Sequence, residues 1–576
     1  MKIKAMIQWF LVGLIFALQV YGQDYEKIAP KTPPPSNKGA VELPEKKPVL
    51  VEGKEEVLVE NLKGLVFISS AKEIHKEGWS GLTGVHATGL KFLDVPDFEK
   101  RMEIYLGKPV SLKSLNELTR DIVIYYREKG RPVVDIAVPE QDIASGIVQV
   151  VVTEGKVGEV RTEGNKWFDS KFLVNQVQLK SGDVIQSKEL TEDINWLNSN
   201  PFRQVDLVFT PGKKQGETDL VLKTKDRFPI RVYSGYEDTG NNLTGDERIL
   251  FGLNWGYAFK QDHQFNYQYT GDGNFNKLAA HSGSYVIALP WRHRLAVFGS
   301  YAETKADIAN PLLNLTGRSW QLSTRYTASL PTIKDYMQEI TGGFDYKNSN
   351  NNLEFGGASV FNTTTEVLQW NLGYSSGLKD PWGNTALGMN LFYSPGDLTG
   401  DNKDKNFQAS RAFSRADYFY SRFNLERVTK LPYDFSWVAK GTYQFSEANL
   451  LGSEQLGIGG YNTVRGYDER EGNGDEGYLL STELRTPPIS FGKELGITQL
   501  NDQFQFLGFF DYGTAKNKRL LPGEDPNVLL AGAGPGFRYT ISPYLSARAD
   551  YGFQLYDTGN NSRYNSRWHI GLVISY

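Results

Sequence analysis

Cysteine is absent from the 576 residues. That excludes disulfides, thiol chemistry and the cysteine-linked lipid of a lipoprotein, and it fits an extracytoplasmic chain. Histidine is scarce, and the 6 present are scattered, with His281 and His293 near strand starts, so no metal site is expected. An excess of charge is missing too. Lys and Arg number 63 against 67 Asp and Glu, a net charge of -4, which offers nothing to nucleic acid. Beyond the N-terminus no apolar run is long enough for a helical membrane span. A chain of this kind crosses a bilayer only as a closed β-barrel, the other form that satisfies every backbone group in lipid.

What the chain does have is aromatics at 13% and 58 Gly, at a mean hydropathy of -0.42. These are arranged with period two. From Phe251 to Lys260 the odd positions are Phe251, Leu253, Trp255, Tyr257 and Phe259, and the even ones are Gly252, Asn254, Gly256, Ala258 and Lys260. Leu545, Ala547, Ala549, Tyr551, Phe553 and Leu555 alternate with Ser546, Arg548, Asp550, Gly552 and Gln554. Trp568, Ile570, Leu572, Ile574 and Tyr576 alternate with Arg567, His569, Gly571 and Ser575. One bulky face and one small or polar face suit strands with lipid outside and water inside. Sixteen such runs follow Asp226, starting near Phe228, Arg248, His263, His281, His293, Arg318, Met337, Thr365, Gly383, Arg415, Tyr433, Gly477, Gln503, Val528, Tyr544 and Arg567. The 576 − 226 = 350 residues leave about 22 per strand, enough for the roughly 9 to 11 that cross a bilayer plus turns. With boundaries good to about two to four residues, about fourteen or eighteen strands also fit.

Ahead of this barrel the chain changes character. Lys2 and Lys4 precede the apolar run Ile7 to Val20, which reads as a signal peptide, residues 1–22, cleaved near Gly22. Residues 23–56 hold Pro30, Pro33, Pro34, Pro35, Pro44 and Pro48 among charges and read as an extended linker. Two small α+β units follow, at 57–154 and 155–226, each in the order β-α-α-β-β. Their open sheet edges point to peptide handling, since an exposed edge can add a client strand through backbone hydrogen bonds.

One loop stands out: Gly459-Gly460-Tyr461-Asn462-Thr463-Val464-Arg465-Gly466-Tyr467, placed between strands eleven and twelve. On strand thirteen, alternation puts Phe509 and Asp511 on one face. On strand twelve it turns Glu483 and Arg485 inward. Arginine suits such a site because its planar fork pairs bidentately with a carboxylate. If Arg465 and Asp511 act mainly as a latch between loop and wall, a charge swap is expected to restore part of the function.

With Asn198-Ser199-Asn200-Pro201-Phe202-Arg203, Pro211-Gly212, Gly216, Phe509-Phe510-Asp511 and the terminal Tyr576, this loop completes a recognisable set. The chain from about Val57 to Tyr576 resembles the two-partner secretion (type Vb) outer-membrane translocators, the haemolysin and filamentous-haemagglutinin transporters, within the BamA-like assembly-factor superfamily. The resemblance implies two periplasmic POTRA-type domains, a sixteen-stranded membrane barrel at 227–576, and an inward-folded loop at 453–474. In that family's terms Gly459, Gly460, Val464, Arg465, Gly466 and Tyr467 form the loop motif. Phe509, Asp511 and Glu483 are its barrel-wall partners; Asn200, Pro201 and Arg203 are a POTRA motif; Trp568 and Tyr576 are the C-terminal barrel signal. It also implies export of a large secreted client without nucleotide, outer-membrane lipid around the barrel, and insertion by the barrel-assembly machinery. Many relatives carry a plug helix after the signal peptide, which the prolines of 23–56 put in doubt. Either a short piece such as Asp24 to Ala29 occludes the pore or the loop alone does.

Several motifs also have a plainer reading. Asn200-Pro201 also serves as a plain helix stop, and Gly532-Ala533-Gly534-Pro535-Gly536 reads as a strand making room inside the barrel, since no P-loop lysine follows. Asp401 and Asp404 fit no calcium-loop spacing. No nucleophile, base and orienting group stand together, so neither an enzyme nor a cofactor is expected. Against the translocator stand an outer-membrane assembly and insertion factor, a passive porin and a membrane-embedded hydrolase.

Overall fold

The computed structural model describes residues 23–34, 41–42 and 54–576, apart from residues 88, 242–243, 307–312, 334–335, 356–357, 498, 524–525 and 559–564. The signal-peptide expectation therefore lies outside the described residues. Two compact units emerge: Ser36–Arg227, and Phe228–Tyr576 together with the N-terminal segment up to Pro35.

In the first unit two modules follow one another. Strand Gly64–Ile68, helices Pro96–Glu103 and Leu112–Glu128, and strands Val134–Ala137 and Ile147–Glu154 close around Phe67, Phe98, Ile122, Tyr126 and Val150, all buried. Ser111 caps the long helix by accepting from the Ser114 backbone while Ser114 accepts in return. A short strand, Gly84–Ala87, which alternation did not reveal, adds in parallel to Gly64–Ile68. The second module repeats the order with Lys156–Glu163, Ser170–Asn175, Ser187–Leu197, Arg203–Pro211 and Glu217–Asp226.

The structure corrects the reading of residues 23–56 as an unpacked linker. Val41–Glu42 pairs in parallel with Leu207 and Val208, occupying one of the sheet edges expected to be open. Further along that edge, the Asn198 amide accepts from the Val205 N–H at 2.7 Å and donates to its carbonyl at 2.9 Å. An extended segment has unpaired backbone groups of its own, so it finds an edge whatever its proline content.

The second unit is a closed antiparallel barrel of sixteen strands. They are strand 1 Ile230–Glu237, 2 Arg248–Ala258, 3 His263–Asp272, 4 Leu278–Ala288, 5 Arg294–Ala306, 6 Leu313–Ile333, 7 Tyr336–Phe355, 8 Ala358–Asp380, 9 Gly383–Pro395, 10 Asp417–Lys430, 11 Ser436–Ser446, 12 Glu476–Arg485, 13 Asp502–Lys516, 14 Asn527–Ile541, 15 Leu545–Gln554 and 16 Ser566–Ser575. Strands 1 and 16 close the cylinder in the register Tyr233↔Ser575 to Glu237↔Gly571. Tight turns such as 259–262 and 381–382 mark one rim, and long loops such as 396–416 and 447–475 mark the other. In a bacterial outer membrane the long loops face outward.

Leu480, Leu484, Trp568 and Ile574 are exposed on the outside, whereas Gln268, Asp345, Gln369 and Gln444 are buried within. Three expectations shift. Strands 6 and 8 begin at Leu313 and Ala358, earlier than expected, because polar runs such as Asn348–Asn352 carry no apolar alternation yet pair fully, for example Asn351↔Thr363. The alternation from Phe251 to Lys260 breaks at a register shift between Trp255 and Ala258, which leaves Tyr257 buried.

Candidate functional site: the inward-folded loop and its cradle

The loop between strands 11 and 12 turns back into the barrel. Its sides pair as a short hairpin, Leu456–Ile458 with Gly472–Gly474. Val464 and Tyr467 are wholly buried with Leu456, Ile458, Ala515 and Leu530. Gly459, Gly460 and Gly466 have φ of 99°, 101° and 102°, a region closed to most side chains, so the turn around Arg465 depends on glycine.

That turn delivers Arg465 to three carboxylates. Its Nε donates to Asp511 Oδ2 at 2.7 Å and its Nη2 to Asp511 Oδ1 at 2.9 Å, a bidentate pair. Its Nη1 donates to Glu483 Oε1 at 2.7 Å and to Asp550 Oδ2 at 3.3 Å. Its backbone N–H also reaches Asp511 Oδ2, at 3.1 Å. Beneath the guanidinium lies the Phe509 ring, with its centroid 3.7 Å away. The arginine side chain is 4% exposed, so this is a buried cluster and not a water-bathed contact. Arg485 pairs with Glu483, and Arg538 donates to both oxygens of Asp550, at 2.6 and 2.9 Å. Three guanidinium groups thus offset three carboxylates, which is what makes burial tolerable.

The rest of the tip is held by the wall. His569 Nε2 accepts from the Gly466 N–H at 2.9 Å, and Gln554 Nε2 donates to the Gly466 carbonyl at 2.7 Å. The Tyr467 hydroxyl lies 2.9 Å from the Ala531 carbonyl and 2.7 Å from that of Tyr556. Small residues let the loop backbone touch the wall. A Cβ at Gly532 would sit 2.0 Å from the Arg465 carbonyl oxygen, and one at Gly552 would sit 2.4 Å from the Gly466 nitrogen. The glycine run at 532–536 makes room for a loop, as its reading as a strand with small residues anticipated.

A family model described as haemolysin secretion/activation protein ShlB/FhaC/HecB matches residues 216–539, and a ShlB-type POTRA domain matches residues 81–155. The chain belongs to this family. Among its relatives, the heme/hemopexin transporter protein HuxB of Haemophilus influenzae is 25% identical over 484 residues, 81% of each chain. The outer membrane transporter CdiB of Escherichia coli is 20% identical over 435 residues, 70% of this chain and 68% of that one. Among solved structures, CdiB from Escherichia coli matches with a TM-score of 0.73 at 15% identity over 94% of both chains, and CdiB from Acinetobacter baumannii with 0.62 at 18% over 96% of both.

As a member of the ShlB/FhaC/HecB family, the chain is an outer-membrane translocator of two-partner secretion, with its POTRA part in the periplasm and a secreted client as its partner. The porin and assembly-factor readings give way to that membership. Its family is one of transporters.

In this translocator a second element occupies the lumen. Gln23–Ile28 is a helix, settling a point that the prolines left open. Tyr25 is buried, with its ring 4.8 Å from that of Phe298 and its hydroxyl donating to the Gly283 carbonyl at 3.1 Å. Lys31 Nζ reaches Glu237 Oε2 at 2.9 Å, and Gln268 donates to the Ile28 carbonyl at 3.1 Å. Lys27 Nζ lies 3.5 Å from Glu469 of the inward loop. Six residues suffice because every proline of the segment follows the helix. Between helix, loop and wall lies a cavity of about 330 Å³ bounded by Lys27, Ile28, Glu237, Lys347, Ser453 and Glu469.

The other predicted residues sit elsewhere. Asn200 accepts from the Phe202 N–H at 3.0 Å, and Arg203 is wholly buried over the Phe168 ring, 4.8 Å away, with Nε donating to the Leu197 carbonyl at 2.7 Å. With Pro201 they shape the passage from helix to strand and present no charge to a client. Trp568 and Tyr576 are exposed at the closing strand, and the Tyr576 N–H donates to the Val232 carbonyl at 3.0 Å. Asp550, His569 and Gln554 were missed as loop partners. Alternation had placed them on the polar face, but nothing local showed what they would meet. Glu454 was missed as well: wholly buried in the loop's descending arm, it accepts from Lys347 at 2.6 Å, Tyr420 at 2.8 Å and Gln369 at 3.0 Å.

Proposed function

We propose that the Arg465 cluster is a latch that keeps the translocator shut until a client arrives. The observation that carries this reading is the bidentate Arg465–Asp511 pair, buried, with Glu483 and Asp550 completing it. Such a pair is strong only while it is dry and aligned, so a displaced loop loses it abruptly. The POTRA modules, in this reading residues 57–154 and 155–226, take an extended client segment at a sheet edge. The client then crosses the barrel, residues 227–576, without nucleotide, and its folding outside supplies the drive. Residues 1–22 act as the signal peptide. Lipid surrounds the outward aromatics, and the barrel-assembly machinery inserts the chain through its last strand, with Trp568 and Tyr576 as the signal.

Planar bilayers test this reading without a client. The intact protein is expected to conduct ions weakly and in brief openings, and removal of Ser453 to Gly474 is expected to enlarge the conductance. A steady porin-like current from the intact protein overturns it.

A further inference from the structure

We propose that the inward-folded loop has a second fastening, at its root on the extracellular rim, in which Arg411 clasps Asp475 and thereby holds loop 396–416 across the mouth of the barrel. Release of this clasp is a step of opening separate from release of Arg465. The proposal rests on the reading of a barrel shut at rest.

Loop 396–416 carries the helix Asp404–Ser410, whose Phe407 is wholly buried among Phe392, Tyr418, Tyr420, Leu450 and Leu451. The cluster joins that loop to the first residues of the inward loop. Arg411, directly after the helix, donates to both oxygens of Asp475, through Nη2 at 3.0 Å on one side and through Nη1 on the other. The same Nη1 reaches the Leu450 carbonyl, and Nη2 reaches Asn517 Oδ1 at 2.9 Å. Asp475 is wholly buried at the point where the inward loop rejoins strand 12. It also accepts from the backbone N–H of Leu450 at 2.8 Å and of Lys518 at 2.9 Å. One carboxylate therefore ties three extracellular loops, and Arg411 is the member that belongs to loop 396–416.

The chemistry separates the parts. Without Arg411, Asp475 keeps two backbone donors, so the root of the inward loop stays in place while loop 396–416 loses its charged anchor. Nearby, Ser414 and Asn449 face each other in a parallel bridge between the two loops. Asn449 also donates to the Ala412 carbonyl at 3.2 Å and the Arg519 carbonyl at 2.9 Å. These contacts are local and polar, so the clasp is positioned to yield before the strand ladders do.

Purified full-length protein in planar bilayers in potassium chloride tests the proposal. Arg411→Ala is expected to raise the frequency of openings roughly ten- to hundredfold, the range a charge-assisted hydrogen-bonded pair supports. Because the chain has no cysteine, a Ser414→Cys/Asn449→Cys pair forms a single defined cross-link. Placed in an Arg465→Ala background, it is expected to return the raised conductance toward the resting level when oxidised and to release it on reduction. An Arg411→Ala protein that gates like the parent, or a cross-link that leaves the Arg465→Ala current unchanged, overturns the clasp. Raised current in Arg465→Ala alone would then leave the latch standing. No change in either single variant overturns both.

Discussion

Arg465 is surrounded by Asp511, Glu483 and Asp550, with Arg485 and Arg538 shared at the edges. Removing it leaves one carboxylate uncompensated in a dry site, at a local cost on the order of 3 to 5 kcal/mol. Arg465→Ala is therefore expected to reach the membrane in normal amount, since strand ladders hold the barrel, and to secrete poorly. Arg465→Lys is expected to fail as well, because a point charge cannot span Asp511 and Glu483 together. The surroundings also correct the charge-swap expectation. Arg465→Asp with Asp511→Arg places the new carboxylate against Glu483 and Asp550, so export is not expected to return; recovery in a secretion assay would show that only the pair matters. Steric evidence offers an independent check. Gly532→Ala puts a methyl group where the Arg465 carbonyl lies, and it is expected to reproduce the Arg465→Ala defect with all charges intact.

Among the elements, the two-residue strand Val41–Glu42 bears most directly on client capture. It covers part of the Arg203–Pro211 edge that an incoming segment would use. A client adding there must displace it, losing one to two backbone hydrogen bonds worth roughly 1 kcal/mol each. A purified fragment of residues 54–227 is thus expected to bind the N-terminal segment of a neighbouring secreted protein about five- to thirtyfold more tightly than a fragment of residues 36–227. Equal affinities by calorimetry would mean that the edge is not the client's site. Arg203, buried at the start of that strand, and Asn200, buried in the turn before it, are expected to affect the stability of the fragment and not its affinity.

For the whole molecule, the proposed closure is shared among several fastenings: the helix Gln23–Ile28, the loop tip at Arg465, the descending arm at Glu454 and the clasp at Asp475, with Lys27 and Glu469 joining helix to loop. Lys31→Ala isolates the first of these. Glu237 retains Arg548, whose Nη2 lies 3.0 Å away, so the wall keeps its charge balance while the helix segment loses one of its anchors. Openings in a bilayer are expected to become more frequent with the barrel's heat-modifiable migration unchanged. A current identical to the parent's would show that the Lys31–Glu237 contact does not help to hold the block.

Sequence alone determined the elements whose cause is local. Period-two alternation in segments such as Trp568–Tyr576 dictates strands with one lipid face, while counting set their number only to within a hairpin and the closed ladder fixed it at sixteen. Alternation likewise sent Phe509, Asp511 and Glu483 to one side of the wall, and the glycines of 459–466 marked out the loop. Only the tertiary structure decided what those groups meet. Asp550, His569 and Gln554 lie far from Arg465 in the chain, and a residue's face says nothing of its partner across a lumen. The same holds for Val41–Glu42 and Gln23–Ile28, in a segment whose composition gives no sign of packing. Their order comes from a sheet edge and a barrel wall that exist only once the rest has folded, since a short segment gains structure there by satisfying backbone groups that water would otherwise hold.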